Sequence, residues 1–373
     1  MIMQRRITSI LTALFLLLAI PSAAAAKSSS QPKVDIAIAL DVSDSMSGLI
    51  QSAKQRLWDI VNELGDASPT PMLRVAVITY GHTSYDTNKG YVKVDQPFTS
   101  DLDQVNKVLF SFTTSGGTEF VSRAVSTATN ELEWSDDSSL RLIFVAGNEP
   151  ADQDPLISIK QAASGAAERG IVTNTIYCGS ESSAEAAGWR EVASLTDGSF
   201  ASIDQNAAMV AAIATPMDDE LLKLNSELNA TYIAYGVKRE EYKANQEEQD
   251  ENAGSMSTQA LASRVVTKSS TLYQNTHWDL VDAQAAGKDL GKLPTEELPE
   301  EMRGMNEKQR AEFVKKLSDK RGELQTKIRD LDQQRQAFIE KERAKTATEN
   351  GLDSAIKRSI RAQAEKKGFK FTN

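Results

Sequence analysis

Oxygen side chains recur at every second position in Asp41, Ser43 and Ser45, with a further carboxylate at Asp44. Hydroxyls with one or two carboxylates are hard donors. Such donors suit Mg2+, or Mn2+ and Ca2+ of the same class, usually with waters retained. They follow Ile36-Ala37-Ile38-Ala39-Leu40, a run apolar on both faces. That pattern suits a strand covered on both sides in a parallel sheet. Gly48 and an amphipathic stretch, Leu49 to Leu64, come next. The order predicts a buried strand, a tight oxygen-rich loop and a helix. In open α/β sheets, ligands bind at the carboxyl ends of strands. The same residues also suit a plainer role, with Ser43, Asp44 or Ser45 capping the helix.

A second oxygen-rich stretch reads T-T-S-G-G-T-E. Gly116-Gly117 lets the backbone approach a ligand closely, and Thr118 is the hydroxyl such an approach would present. The alternative is a Gly-rich turn with Thr118 as helix cap. His82 falls at the end of an expected strand and reads as structural or solvent-exposed. Cys178 is the single cysteine, so no internal disulfide forms. It reads as a small buried hydrophobe with no partner that would make it reactive.

With D-V-S-D-S-M closing a buried strand, the chain resembles the first metal-site motif of the von Willebrand factor type A (VWA) family. The resemblance implies Asp41, Ser43, Ser45 and Thr118 as a metal site. It implies a divalent ion whose open position takes an acidic side chain of a protein partner. The family usually carries T-D-G after its fourth buried strand, and that Asp completes the site. Here the strand ends F-V-A-G-N-E-P. Aligning Glu149-Pro150 with the family's E-P puts Gly147 in the Asp position. Asn148 or Glu149 then substitutes, or water does, or Ala146-Gly147-Asn148 is only a turn. The expectation is an incomplete site, of low affinity or purely structural.

The elements that must position these residues alternate. Strands are expected at Val34–Leu40, Leu73–Tyr80, Tyr91–Phe98 (edge-like, with Pro97), Leu140–Ala146, Ile171–Tyr177 and Ser199–Ile203. Helices are expected at Asp101–Phe112, Glu119–Leu132, Ile159–Arg169, Ala184–Leu195 and Ala207–Met217. The fold class is α/β: a doubly wound, mostly parallel sheet of VWA or Rossmann type, followed by an all-helical, partly coiled-coil C-terminal region.

That region, residues 218–373, is rich in Glu, Lys, Gln, Arg and Ala. Helices are expected over Asp218–Asn245 (with a break at Gly236), Asn252–Ala286, Glu300–Lys345 and Leu352–Lys367, with Gly287–Pro299 as a linker and Asn350-Gly351 as a stop. The long helix carries Leu317, Leu324, Leu331 and Phe338 seven apart, with Ile328 between. Arg321 and Arg335 interrupt the partner seam. A coiled coil and packing against the other helices therefore both remain open. Trp278 is expected as a core anchor.

The chain has 373 residues and a net charge of −10, without the basic face that nucleic-acid binding needs. Residues 1–26 read as a signal peptide. Arg5-Arg6 precedes a short apolar run, Ile7–Ile20, and small residues lead to cleavage near Ala26. Residues 27–33 are a leader and residues 34–217 the VWA domain. No other stretch is long and apolar enough to cross a membrane, which places the mature chain in the periplasm or outside the cell.

Three function classes follow. One is an envelope protein-binding module with a divalent cation. The second is a structural or scaffolding envelope protein with a degenerate site and helix-mediated self-association. The third is an enzyme. The chain lacks G-x-S-x-G, H-E-x-x-H, CxxC and P-loop motifs and has two histidines, so catalysis is least supported.

Overall fold

A computed structural model of the protein describes residues 31–203, 213–346 and 352–371. The signal segment, with Ile7–Ile20 and Ala26, lies outside the described residues, as does Asn350-Gly351. Among the described residues, no helix is long and apolar enough to cross a membrane.

The strands are β1 (Lys33–Asp41), β2 (Ala67–Ser68), β3 (Met72–Tyr80), β4 (Val92–Thr99), β5 (Leu140–Gly147), β6 (Val172–Tyr177), β7 (Phe200–Ser202) and β8 (Lys370–Phe371). The helices are α1 (Ser47–Gly65), α2 (Leu102–Ser111), α3 (Val121–Glu131), α4 (Ile159–Glu168), α5 (Ala186–Leu195), α6 (Asp218–Asn229), α7 (Arg239–Met256), α8 (Thr258–Ser269), α9 (Leu280–Ala285), α10 (Glu307–Thr346) and α11 (Leu352–Lys366). Six strands form one sheet in the order β4-β3-β1-β5-β6-β7. All pairs are parallel except the edge pair β3/β4. The strand that ends in Asp41 is therefore central, as its apolar run requires.

Two cores cover the two faces. One face packs Ala37, Ala39, Ile78, Ile143 and Val145 against Val121, Val125, Ala162 and Trp189 of α3, α4 and α5. The other packs Ile36, Leu40, Val75 and Leu142 against Trp58, Val61, Val105 and Leu109 of α1 and α2.

This second core does not end with the α/β layer. It continues into Leu221, Leu224 and Leu228 of α6, Val265 of α8, Trp278, Leu324 and Ile328 of α10, and Ile360 of α11. The helical region is thus built onto the outer face of α1 and α2. Trp278 is 2% exposed and stacks on Tyr232, as a core anchor should. The chain's end also returns: β8 pairs with β2 beside α1, Arg361 of α11 hydrogen-bonds Glu63 of α1, and the amides of Gln363 and Asn174 bond each other at 3.1 and 2.7 Å.

Four expectations change. Of the helix expected over Ala207–Met217, residues 207–212 lie outside the described residues, residues 213–215 are irregular and residues 216–217 form a turn. The break near Gly236 is real but wider, since α6 ends at Asn229 and α7 begins at Arg239. Asn252–Ala286 is not one helix. Ser257, at φ −173°, leaves the helical path and caps α8 by accepting from Ala260 N–H. Asp279 caps α9 by accepting from Asp282 N–H, and also accepts from Ile233 N–H. Ser and Asp occur both at caps and, less favourably, inside helices, so residue type alone does not mark these two breaks. Gly287–Pro299 is not a linker either. Leu290, Leu293 and Leu298 are buried with Ile233, Tyr235, Leu280 and Val314 in a third cluster.

The heptad face of α10 is consumed within the chain. Leu324 and Ile328 are buried in the main core. The two arginines of the seam are buried too, each with its own acid. Arg321 reaches Asp279 at 2.7 Å and Asp282 at 2.9 Å, and Arg335 reaches Asp218 at 3.0 Å. Of the two outcomes left open, packing against the chain's own helices is the one that occurs.

Candidate metal centre

The carboxyl end of β1 places Asp41 at the rim of the sheet with its side chain fully buried. Asp41 Oδ1 accepts the Ser43 N–H at 2.8 Å, a tight turn that sends the next residues back across the strand end. Ser43 is buried and Ser45 exposed. Their hydroxyls lie 3.1 Å apart, and Ser45 Oγ donates to Asn148 Oδ1 at 3.3 Å. Capping does not account for them. Neither the 3-10 turn Asp44–Met46 nor α1 takes a side-chain cap bond, and the residue before α1 is Met46.

The Gly-rich loop docks directly on this turn. Ser115 N–H donates to the Val42 carbonyl at 3.0 Å, and Asp44 N–H to the Gly116 carbonyl at 3.3 Å. Thr118 is carried on that loop, half-buried. It does not cap α3, whose preceding residue is Phe120. Asn148 and Glu149 follow β5, next to β1 in the sheet. Asn148 joins the site through Ser45. The Glu149 side chain turns to Gln153 at 3.1 Å, while its carbonyl accepts the Trp189 indole N–H at 2.8 Å. His82 is engaged elsewhere, with its Nδ1 at 2.8 Å from the Ser84 hydroxyl and its ring stacked on Tyr85. Cys178 is buried, and burial pushes its thiol up to about 12, in keeping with an inert packing role.

Two residues of the rim escaped the sequence reading. Glu119 is 3% exposed, although it follows a glycine pair and a threonine in a loop. The Gly81 backbone approaches both acids. At its φ of +88° it has no side chain, and a Cβ there would lie 2.9 Å from Asp41 Oδ1 and 3.0 Å from Glu119 Cγ. Among the described residues, Asp41 Oδ2 and Glu119 Oε2 are both buried without a hydrogen-bond partner. Burial first, and Glu119 second, push the Asp41 carboxyl up to about 8. Burial also raises Glu119, opposed by the Ser43 hydroxyl beside it. The sequence signal for Glu119 was its place directly after Thr118.

Tyr80 is the second. Its hydroxyl donates to the Ala146 carbonyl at 2.8 Å. A Cβ on Gly147 would meet it at 2.5 Å, and would stand 3.2 Å from Asp41 Oδ2. Position 147 therefore faces the site, and the Tyr80 phenol excludes a side chain there.

Among the described residues, no three His, Cys, Asp or Glu side chains gather as a metal cluster. Any ion here must lean on hydroxyls, and the set of two serine hydroxyls, an amide oxygen and two orphaned carboxylate oxygens fits a hard divalent cation. A groove of about 750 Å³ opens one residue past Glu149, lined by Pro150, Asp152, Leu156, Lys160, Glu185 and Glu191 among others.

A doubly wound sheet with an oxygen-donor rim at the carboxyl end of its central strand has the place where open α/β sheets bind ligands. Residues 35–215 match the family model of the von Willebrand factor type A domain, and this part of the chain is such a domain. No curated protein matches the chain. Among solved structures, the conserved hypothetical protein BatB from Bacteroides thetaiotaomicron is 21% identical, over 46% of this chain and 90% of its own, at a TM-score of 0.36. Proximal thread matrix protein 1 from mussel byssus, with a zinc-occupied MIDAS motif, is 16% identical over 48% of this chain and 43% of its own, at 0.38. A von Willebrand factor type A protein from Catenulispora acidiphila is 14% identical over 46% and 39%, at 0.36. This chain spans less than half of the last two. Domains of this family are generally protein-interaction modules rather than enzymes, often with a divalent cation site.

Proposed function

We propose that the protein is an exported envelope module that binds a protein partner through a divalent ion at this rim. The ion is Mg2+ or Mn2+, with Ca2+ in the same class, held by Asp41, Ser43, Ser45 and Thr118, with Asn148 and Glu149 as auxiliary donors. An acidic side chain of the partner completes its shell. The observation that carries this reading is the orphaned Asp41 Oδ2 facing Glu119, a buried acidic pair that no cation of the described chain neutralises. Buried charges are ordinarily paired or bound to metal. The groove beside Glu149 provides room for the segment that brings the acid. Residues 34–217 form the cation-binding part and residues 218–373 a helical part. Export follows from residues 1–26, with the mature chain periplasmic or secreted.

A scaffold with a vestigial site is the second reading, favoured by the helical region's broad packing on α1, directly behind the rim. Helix-mediated self-association would have to use a face of α10 other than the heptad seam. Calorimetric titration of the mature chain with Mn2+, with and without a short acidic peptide, separates the two. The binding module takes up one ion, and takes up the peptide only with the ion present. Failure to bind Mn2+ in either condition leaves the scaffold reading.

A further inference from the structure

We infer that Glu119 supplies the second carboxylate of the cation site, in place of the strand-end position that Tyr80 closes. This rests on the proposed cation-binding reading, and three observations carry it. First, a side chain at position 147 would stand 3.2 Å from Asp41 Oδ2, but its Cβ would also lie 2.5 Å from the Tyr80 hydroxyl. The fold has given that space to a phenol anchored on the Ala146 carbonyl. Second, Glu119 comes to the same acid from the opposite loop and acts on its charge, and a Cβ at Gly81 would meet both side chains, at Asp41 Oδ1 and Glu119 Cγ. Third, Glu119 is 3% exposed, and its Oε2 is buried with no hydrogen-bond donor among the described residues. A structural glutamate at a loop end would turn to solvent or to an arginine. Desolvating a carboxylate beside another is costly unless a shared proton or a cation joins them, and a cation that enters takes the proton's place.

The loop bonds explain how this acid is held. Ser115 N–H to Val42 and Asp44 N–H to Gly116 clamp the Gly-rich loop on the Asp41–Ser45 turn. Glu119 is then carried to the rim two residues before α3 begins. Two carboxylates balance the charge of a divalent ion. The site therefore loads without its partner, and a partner's acid meets a neutral centre rather than a doubly charged one.

The test is Mn2+ titration of the full mature chain, wild type against Glu119→Gln, Glu149→Gln and Asp41→Asn. Binding is followed by the electron paramagnetic resonance signal of free Mn2+. Water-proton relaxation of the bound ion is measured at saturation. Glu119→Gln should weaken Mn2+ at least about tenfold, in the range seen when a group that supports a metal is lost, and should raise relaxation as water enters the freed position. Glu149→Gln, at an auxiliary donor whose side chain turns to Gln153, should weaken Mn2+ less than Glu119→Gln does. Melting in chelator shows that each variant is folded, and Glu119→Ala, with the same expected loss, serves if the glutamine does not fold. Wild-type affinity and relaxation in Glu119→Gln, with binding lost in Asp41→Asn, overturn the role of Glu119 and leave the cation site standing. No Mn2+ binding by wild type overturns both.

Discussion

Replacing Arg264 by Met is expected to destabilise the whole chain by about 3–5 kcal/mol, the range for removing one partner of a buried ion pair. Arg264 of α8 is fully buried. Its guanidinium donates to Asp250 of α7 at 2.5 Å, to Asp103 of α2 at 2.6 Å and to the Gln246 carbonyl at 3.0 Å. It also lies over the Trp58 ring of α1, 4.8 Å from its centroid. One side chain therefore ties two elements of the α/β layer to two helices that follow it. Burial by itself raises Asp250, but Lys268 and then Arg264 outweigh it and hold this acid well below the usual range. Without Arg264, Asp103 keeps, among the described residues, the Tyr273 hydroxyl at 2.5 Å, and Lys268 is left as the cation facing Asp250, beside the amides of Asn225 and Asn229. Methionine fills much of the volume but supplies no charge. Equilibrium urea unfolding followed by tryptophan fluorescence measures the effect. A loss below about 1 kcal/mol, the level of an exposed pair, would show that this network does not join the two regions.

The second large effect has the opposite sign. In chelator, Asp41→Asn should be more stable than wild type at pH 8 by a few kcal/mol. Each tenfold difference in acidity between the folded and unfolded chain is worth at most about 1.4 kcal/mol. The folded chain holds the Asp41 carboxyl up at about 8, against an ordinary value of 3.8. Between those values the unfolded chain ionises freely while the folded chain resists. The group's contribution is therefore fully present below about pH 4 and is lost as pH rises toward 8. Glu119 is raised for the same reason and acts in the same direction. Asparagine keeps an acceptor for the Ser43 N–H and removes the charge. The wild-type melting temperature in chelator should thus fall from about pH 5 to about pH 8 more steeply than that of Asp41→Asn. Adding Mn2+ at the higher pH should raise the wild type through preferential binding to the folded state and leave the variant unmoved. Parallel pH profiles, or an equal Mn2+ effect in both, would rule out an uncompensated acidic pair at this rim.

The buried run before Asp41, the alternation of strands and helices, and the D-x-S-x-S spacing were legible because they are local. Period and propensity act over a few residues and leave their trace in the string. That is why β1 appears as the central strand and why Asp41, Ser43 and Ser45 share one turn. The long helix and its heptad face were equally legible, as was the burial of Trp278. What the face packs against was not, because Arg321 and Arg335 find their acids 42 and 117 positions away in the chain. Ser257 and Asp279 were read as helix interior for a related reason. A residue's choice between capping and continuing a helix turns on partners such as Ile233, which lies 46 positions from Asp279. The rim followed the same rule. Gly147 was visible as a departure in the sequence, yet the Tyr80 phenol that fills its space comes from another strand of the sheet. Glu119 looked like the first residue of an ordinary helix, whereas the helix starts at Val121 and folding carries Glu119 beside Asp41. Side-chain identity and spacing are written along the chain, whereas the burial of one carboxylate against another is a property of the space between loops.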